Sequence, residues 1–462
     1  MRYYSPTTQL ALLSVVLLLT TALRRLLDNF LLRELPTDLN PTYDSYWPTS
    51  LIACLSGFLA LFLVNLIGVR SILVFYSITS ILLFASVVAK YTTGSMAFYK
   101  ATAIIDSIGY DFGRVATLVV VLAYPGERWK ARALAIFLIM EYFSMTIGDL
   151  ITLRGQASDD TRYKMSVVAL SLSCLAPFVS LAIAPINKIV RSNGVYLIAR
   201  ETTLREEITG TIAIFKNKYM LLLLPYMFSY PFLFSAANVP FPTILAIVLY
   251  DVGKIFIVLM SLTLDVQWAS RKTRGLVSLA MLVVVCIISS AITIAIRTKQ
   301  VDKSKIDSTW STQQIYQYIM NASVTNNRAL LLTTYFFAGV ASSFVELYGF
   351  WVIGTLTNDI KASARFVGTF QSVMSIGGMV GYQLVRGIPH QFTTSNIPTY
   401  ISFGMTVLSF IPMYFVVRRI TDTNDWTLAS ISNNGPTSGS AEGSSETITV
   451  IADVKYQHLD DN

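Results

Sequence analysis

The sequence predicts an all-helical, multi-pass membrane protein built as two six-helix halves, and three observations carry that expectation. Apolar residues make up 53% of the 462 residues and charged residues only 13%, about half the charged share of a soluble domain. The mean hydropathy is +0.56. Twelve apolar runs recur along the chain, six on each side of a polar segment at 186–218.

A helix needs about 20 mostly apolar residues to cross the hydrocarbon core. Runs of that kind fall at 8–24, 48–67, 71–90, 101–123, 133–153 and 165–185. The second series falls at 219–237, 241–263, 276–296, 330–355, 365–385 and 399–418. The first run starts after Arg2 and is followed by Arg24 and Arg25 rather than by a small-residue cleavage site, so it is read as a retained span. The expected organisation is a first half at 1–185, a cytoplasmic linker at 186–218, a second half at 219–418 and a tail at 419–462. The linker stretch Leu204-Arg205-Glu206-Glu207-Ile208 reads as an amphipathic helix lying on the membrane surface. The tail, rich in Ser, Gly, Asn and Thr between Ser432 and Ser445, cannot bury a core and is expected to be disordered.

Lys and Arg set the orientation. Arg70, the Arg128-Trp129-Lys130-Ala131-Arg132 turn, the linker, the Arg271-Lys272-Thr273-Arg274 cluster and Arg418-Arg419 all fall on one side. Cations collect in cytoplasmic loops, so both termini are expected in the cytoplasm. The Asn321-Ala322-Ser323 sequon then faces outward and Asn321 becomes a glycosylation candidate. The same loop placement accounts for the net charge of +8, and no nucleic-acid partner is expected. Cys54, Cys174 and Cys286 each sit inside an apolar run and read as small core residues.

Intramembrane charge is the sharpest chemical signal. Asp106, Asp111 and Arg114 in the fourth run would together cost about 8–10 kcal/mol facing lipid, so they are expected to face protein or water. Asp111 and Arg114 are three residues apart and share a helical face, which predicts an internal pair. A carboxylate between desolvation and a guanidinium can bind a proton or cation; the structural alternative is a permanent ion pair. Glu346 sits in the tenth run, the counterpart of the fourth, and is expected to face the same cavity from the opposite wall. Asp251 and Lys254 repeat the acid-x-x-base spacing and read as a structural ion pair. Glu141 reads as a partner for a neighbouring helix. Tyr226 and Tyr230, with Pro231, Phe232 and Phe234, could form a gate or wall for an organic solute, or simple packing. Gly377, Gly378 and Gly381 read as close packing between the halves.

Residue motifs add a family resemblance. Phe350-Trp351-Val352-Ile353-Gly354, Asn358-Asp359, Ala364-Arg365, Gly368 and Gln371-Ser372 resemble the signature of the fungal proteins in the uncoordinated-ninety-three-like (UNC93-like) branch of the major facilitator superfamily. Asn65-Leu66-Ile67-Gly68-Val69-Arg70, Tyr124-Pro125-Gly126-Glu127 and Ile189-Val190-Arg191-Ser192-Asn193-Gly194 agree with it. The resemblance implies two halves rocking around a central site. It also implies a gate in which Asp265 with Arg271 and Arg274 clasps the cytoplasmic face, with a solvated basic loop as the alternative; the first-half version, Asn65 to Arg70, has lost its acid. Some members of the branch act instead as accessory or trafficking partners of other membrane proteins.

Two functions are therefore expected: a transporter moving a small solute by alternating access, with protons as a candidate coupling ion, or a non-transporting accessory subunit bound to another membrane protein. An enzyme is not expected. His390 and His458 are the only histidines, no metal-ligand spacing or Walker-type loop occurs, and no cofactor is implied.

Overall fold

The computed structural model describes residues 3–24, 46–94, 96–125, 129–154, 159–185, 188–189, 203–236, 244–300, 328–357, 360–387 and 397–421. The tail from 422 onward, Asn321, and the Asn238-Val239-Pro240 junction lie outside the described residues.

The apolar runs become helices. α1 spans Pro6–Leu17 and continues as a π-helical turn, Leu18–Ala22. Ser5 caps α1 by accepting from the Thr8 N–H at 3.3 Å, with Pro6 in the first turn. α2 (Tyr46–Ile67) and α3 (Val69–Thr93) meet at Gly68, whose φ of +89° suits a residue without Cβ. Gly94 ends α3 in the left-handed conformation, its N–H bonded to Lys90 at 2.8 Å. α4 (Met96–Ala123), α5 (Lys130–Arg154), α6 (Asp159–Ser173) and α7 (Ala176–Ala182) complete the first series.

The linker holds α8, Leu204–Lys216. α9 is Lys218–Ala236. The eighth apolar run breaks at Phe256 into α10 (Ile244–Ile255) and α11 (Ile257–Asp265). α12 (Arg271–Gln300), α13 (Arg328–Leu356), α14 (Ile360–Gly387) and α15 (Ile397–Val417) follow. Among the described residues, six helical stretches are by themselves long and apolar enough to cross a membrane. The eighth apolar run is split between α10 and α11, and α4 is interrupted by Asp106, Asp111 and Arg114.

Packing places α13 at the centre, buried along most of its length, while α6 and α7 lie mostly open at the periphery. Helices from before and after the linker meet along α2 with α14, α4 with α14, and α5 with α10, α11 and α13. Glycines allow the closest approaches. A Cβ on Gly57 would run into Ser372, and one on Gly368 into Leu61 and the Gly57 carbonyl, where α2 and α14 cross. Gly377 abuts the Phe228 carbonyl of α9, so its tight contact lies within the second series rather than between the halves, correcting the expectation from sequence. Cys54 and Cys286 are buried, whereas Cys174 is exposed, which corrects its reading as a core residue; all three are free thiols.

Candidate functional site

Side chains from both series of helices converge on Arg114, near the middle of α4. Its Nη2 donates a short hydrogen bond to Glu346 Oε1 on α13, and its Nη1 donates to Gln371 Oε1 on α14 at 3.5 Å. Its Nε lies 3.4 Å from Glu141 Oε1 on α5. The tyrosines supply further donors: Tyr142 to Glu346 Oε2 at 2.5 Å, Tyr230 to the same oxygen at 3.1 Å, and Tyr110 to Glu141 Oε1 at 3.2 Å. Ionised partners make these the stronger class of hydrogen bond. The set therefore ties α4 and α5 to α9, α13 and α14.

A helical neighbour rule cannot see such partners. Asp111 and Arg114 do not form the internal pair expected from their spacing; the guanidinium instead reaches across to Glu346 and Glu141. Asp111 is buried beside Gln371. Asp106 pairs with Arg24 at 3.0 Å and accepts from Ser80 at 3.0 Å. Arg24 also lies over the Tyr110 ring, 4.6 Å from its centroid. The two carboxylates expected on opposite cavity walls are enclosed here: Asp106 is 0% exposed and Glu346 2%. The Arg114 side chain keeps 12%.

Asp251 and Lys254 stand 3.2 Å apart one turn along α10, and Thr146 of α5 donates to Asp251 at 2.7 Å. The Lys254 ammonium lies over the rings of Tyr142 at 4.5 Å and Tyr250 at 4.4 Å, a favourable cation–π placement. The pair therefore adjoins the central set through Tyr142. Tyr226 is packed inside the second series, its hydroxyl donating to the Val345 carbonyl at 2.6 Å. The side chains of Pro231, Phe232 and Phe234 lie outside the described residues.

The face that carries α8, here called the linker face, has its own contacts. Asp265, at the end of α11, accepts from the backbone N–H groups of Ala131 at 3.2 Å and Arg132 at 2.8 Å, so it caps α5. Burial pushes its carboxyl up to about 6, against the opposing pull of those N–H groups and of Arg132 and Arg274. The hydrogen bonds to Asp265 come from α5, with Arg132 Nε at 3.9 Å, while Arg274 acts on it from longer range. Arg274 donates to the Leu264 carbonyl at 2.5 Å, and Arg271 lies over the Trp351 ring. Lys130 donates across the same seam to the Gly354 carbonyl at 2.9 Å.

Sequence reasoning assigned no site role to Arg24, Glu141, Tyr110, Tyr142 and Gln371. Glu141 carried a usable signal, a charge inside an apolar run, but Arg24 looked like the edge of a span. Among the described residues no group of three or more His, Cys, Asp or Glu side chains is placed to hold a metal.

Helices from two series locked together through a central arginine–carboxylate set define a multi-pass membrane protein with the fold of major facilitator superfamily transporters. The structural comparisons agree. The proton:xylose symporter XylE matches with a TM-score of 0.63 at 13% identity, over 89% of this chain and 96% of that one. The human organic anion transporter MFSD10 matches with a TM-score of 0.56 at 11% identity, over 87% and 98%. The fucose:proton symporter FucP of E. coli matches with a TM-score of 0.54 at 13% identity, over 91% and 100%.

Within that fold, sequence similarity supports the UNC93-like branch. The chain is 26% identical over 298 residues to an UNC93-like protein of Schizosaccharomyces pombe, covering 60% of this chain and 55% of that one. It is 24% identical over 354 residues to notoamide biosynthesis cluster protein O' of Aspergillus versicolor, covering 74% and 73%. The chain thus spans about half the length of the first relative and about three-quarters of the second. No family model matches the chain.

Proposed function

We propose that the protein moves a small solute across its membrane by alternating access, coupled to protons, with the linker face and both termini in the cytoplasm. The observation that carries this reading is the Arg114–Glu346 bond, which joins the two series of helices in mid-span. Rocking of two halves about that point has to break or exchange this bond, so a solute or proton that competes for Glu346 would drive the change.

Charge balance supports the proton. Among the described residues, the buried carboxylates Asp106, Asp111, Glu141, Asp251 and Glu346 outnumber the cations paired with them, Arg24, Arg114 and Lys254, by two. Uncompensated buried charge costs several kcal/mol per ion, which protonation removes. Protons taken up on one side and released on the other would couple the cycle to a pH gradient. The sugar and anion substrates named for the structural neighbours do not transfer to this chain at such low identity.

One observation favours a second reading. The central acids are closed off among helices in this conformation, as suits an accessory protein whose network serves only as an interhelical lock. Thermal-shift screening of purified protein against cationic, anionic and neutral solutes at pH 5.5 and 7.5 separates the two. The transporter reading expects at least one solute to stabilise the protein in a pH-dependent way that Glu346→Gln abolishes. Stabilisation that survives Glu346→Gln unchanged, or no stabilising solute at all, favours the accessory reading.

A further inference from the structure

The two series close the linker face by unlike chemistry. Where the second series offers Asp265 to the start of α5, the first offers Asn65, an amide, to the start of α14. Asn65 Nδ2 donates to the Lys361 carbonyl at 3.3 Å. This seam has no carboxylate of its own on α2, yet it faces Arg365.

The acid comes from the linker. Glu207, on α8, is fully buried and takes a two-pronged bond from Arg365, Nε to Oε2 at 2.9 Å and Nη2 to Oε1 at 2.8 Å. Its Oε2 also accepts from Asn65 Nδ2 at 2.9 Å. Such a fork fixes direction as well as distance. Local sequence builds the arrangement. Thr203 and Glu206 close a capping box that sets the start of α8. Glu207, Thr211 and Ile214 then form its buried stripe. Gly210 leaves room beside them, since a Cβ there would collide with the Arg365 guanidinium. Further along, Phe215 lies 6.5 Å from Phe58 of α2, ring to ring. α8 is thereby fastened to α2 at both ends and to α14 through Arg365.

We propose that Glu207 is a positioning residue for the transport cycle: it supplies from the linker the gate carboxylate that α2 lacks, and α8 is the strap that holds α2 and α14 together at the linker face. Its purpose rests on the alternating-access reading. When the halves part, Asn65 and Arg365 move away from each other and one carboxylate cannot hold both. In water the exposed pair contributes little, so the strap favours the closed linker face over the open one. Arg365 must then find its charge partner again before that face can close.

The test measures distances and needs no substrate. Spin labels on Ile67→Cys and Trp268→Cys, both exposed on the linker face and on opposite sides of the linker in sequence, report the separation of the two halves. The full chain, with its three native cysteines replaced, is studied in lipid nanodiscs. The parent is expected to give a dominant short distance. Glu207→Gln should raise the ratio of long to short distances about tenfold, whereas Arg205→Gln, on the exposed side of α8, should leave it unchanged. Adding Asn65→Asp to the Glu207→Gln protein returns the acid to α2 and should restore the short distance. That rescue also separates gate loss from misfolding. Identical distributions for the parent and Glu207→Gln, or opening that Asn65→Asp fails to reverse, would overturn the proposal. Distances that respond as expected in a protein that moves no solute would leave the strap standing and remove the transport reading.

Discussion

Replacing Arg114 with alanine takes the cation away from two buried acids at once. Glu346 keeps its bonds from Tyr142 and Tyr230, and Glu141 keeps its bond from Tyr110, so neither carboxylate is stripped of donors. Removing one partner of a buried pair costs about 3–5 kcal/mol, and this variant should fall in that range. Glu346→Gln is milder. It retains the shape and one acceptor oxygen, while Arg114 keeps Glu141 at 3.4 Å; the loss is about 2 kcal/mol, one hydrogen bond to a charged group. Thermal unfolding of purified protein should therefore rank the parent above Glu346→Gln and that above Arg114→Ala, with the last shifted down on the order of 10 °C. The double variant should be less damaged than the two losses added together, by about 1–3 kcal/mol, because the residues share one contact. An Arg114→Ala protein as stable as the parent, or strict additivity, would refute the inference that this bond holds the two series together.

Other outcomes follow from single contacts. Gly339→Ala would press a methyl group into the Tyr250 carbonyl where α10 crosses α13, and about 1–3 kcal/mol of overpacking should appear as a lower Tm; Gly404→Ala, with nothing nearby, should leave the Tm unchanged or slightly raised. Asp265 gives a pH dependence with a definite sign. Its carboxyl is raised to about 6 in the closed linker face, and exposure on opening returns it towards its ordinary value of 3.8. The closed face therefore binds more protons between those values, so raising pH through about 4–6 favours opening, by about 3 kcal/mol in full. Linker-face distance measurements across that window should show the change, and Asp265→Asn should flatten it. A flat profile in the parent would contradict the assignment.

The fold was legible because hydrocarbon thickness imposes a length on every span. The runs at 71–90 and 133–153 fall within α3 and α5, Val69–Thr93 and Lys130–Arg154. The break at Phe256 was not legible, since α10 and α11 together form one continuous apolar run. Partner choice was less legible still. Spacing along one helix links Asp111 to Arg114, but Glu346 and Glu141 reach Arg114 from other helices, and no local rule encodes that meeting. Arg24 stands at the end of the first apolar run, where nothing local points to a buried partner, yet its long side chain turns inward to Asp106. For Glu207 a signal was present. Its spacing with Thr211 and Ile214 repeats at four and three residues, which puts the acid on the buried stripe of α8 rather than among its exposed charges.

The most direct test of the central claim is flux with internal pH followed together in sealed proteoliposomes, using whichever solute stabilises the purified protein. Uptake and proton movement should rise together under an imposed pH gradient, and Glu346→Gln should abolish both while the protein remains folded. Solute uptake at parental rate in Glu346→Gln vesicles, indifferent to the gradient, would contradict the claim.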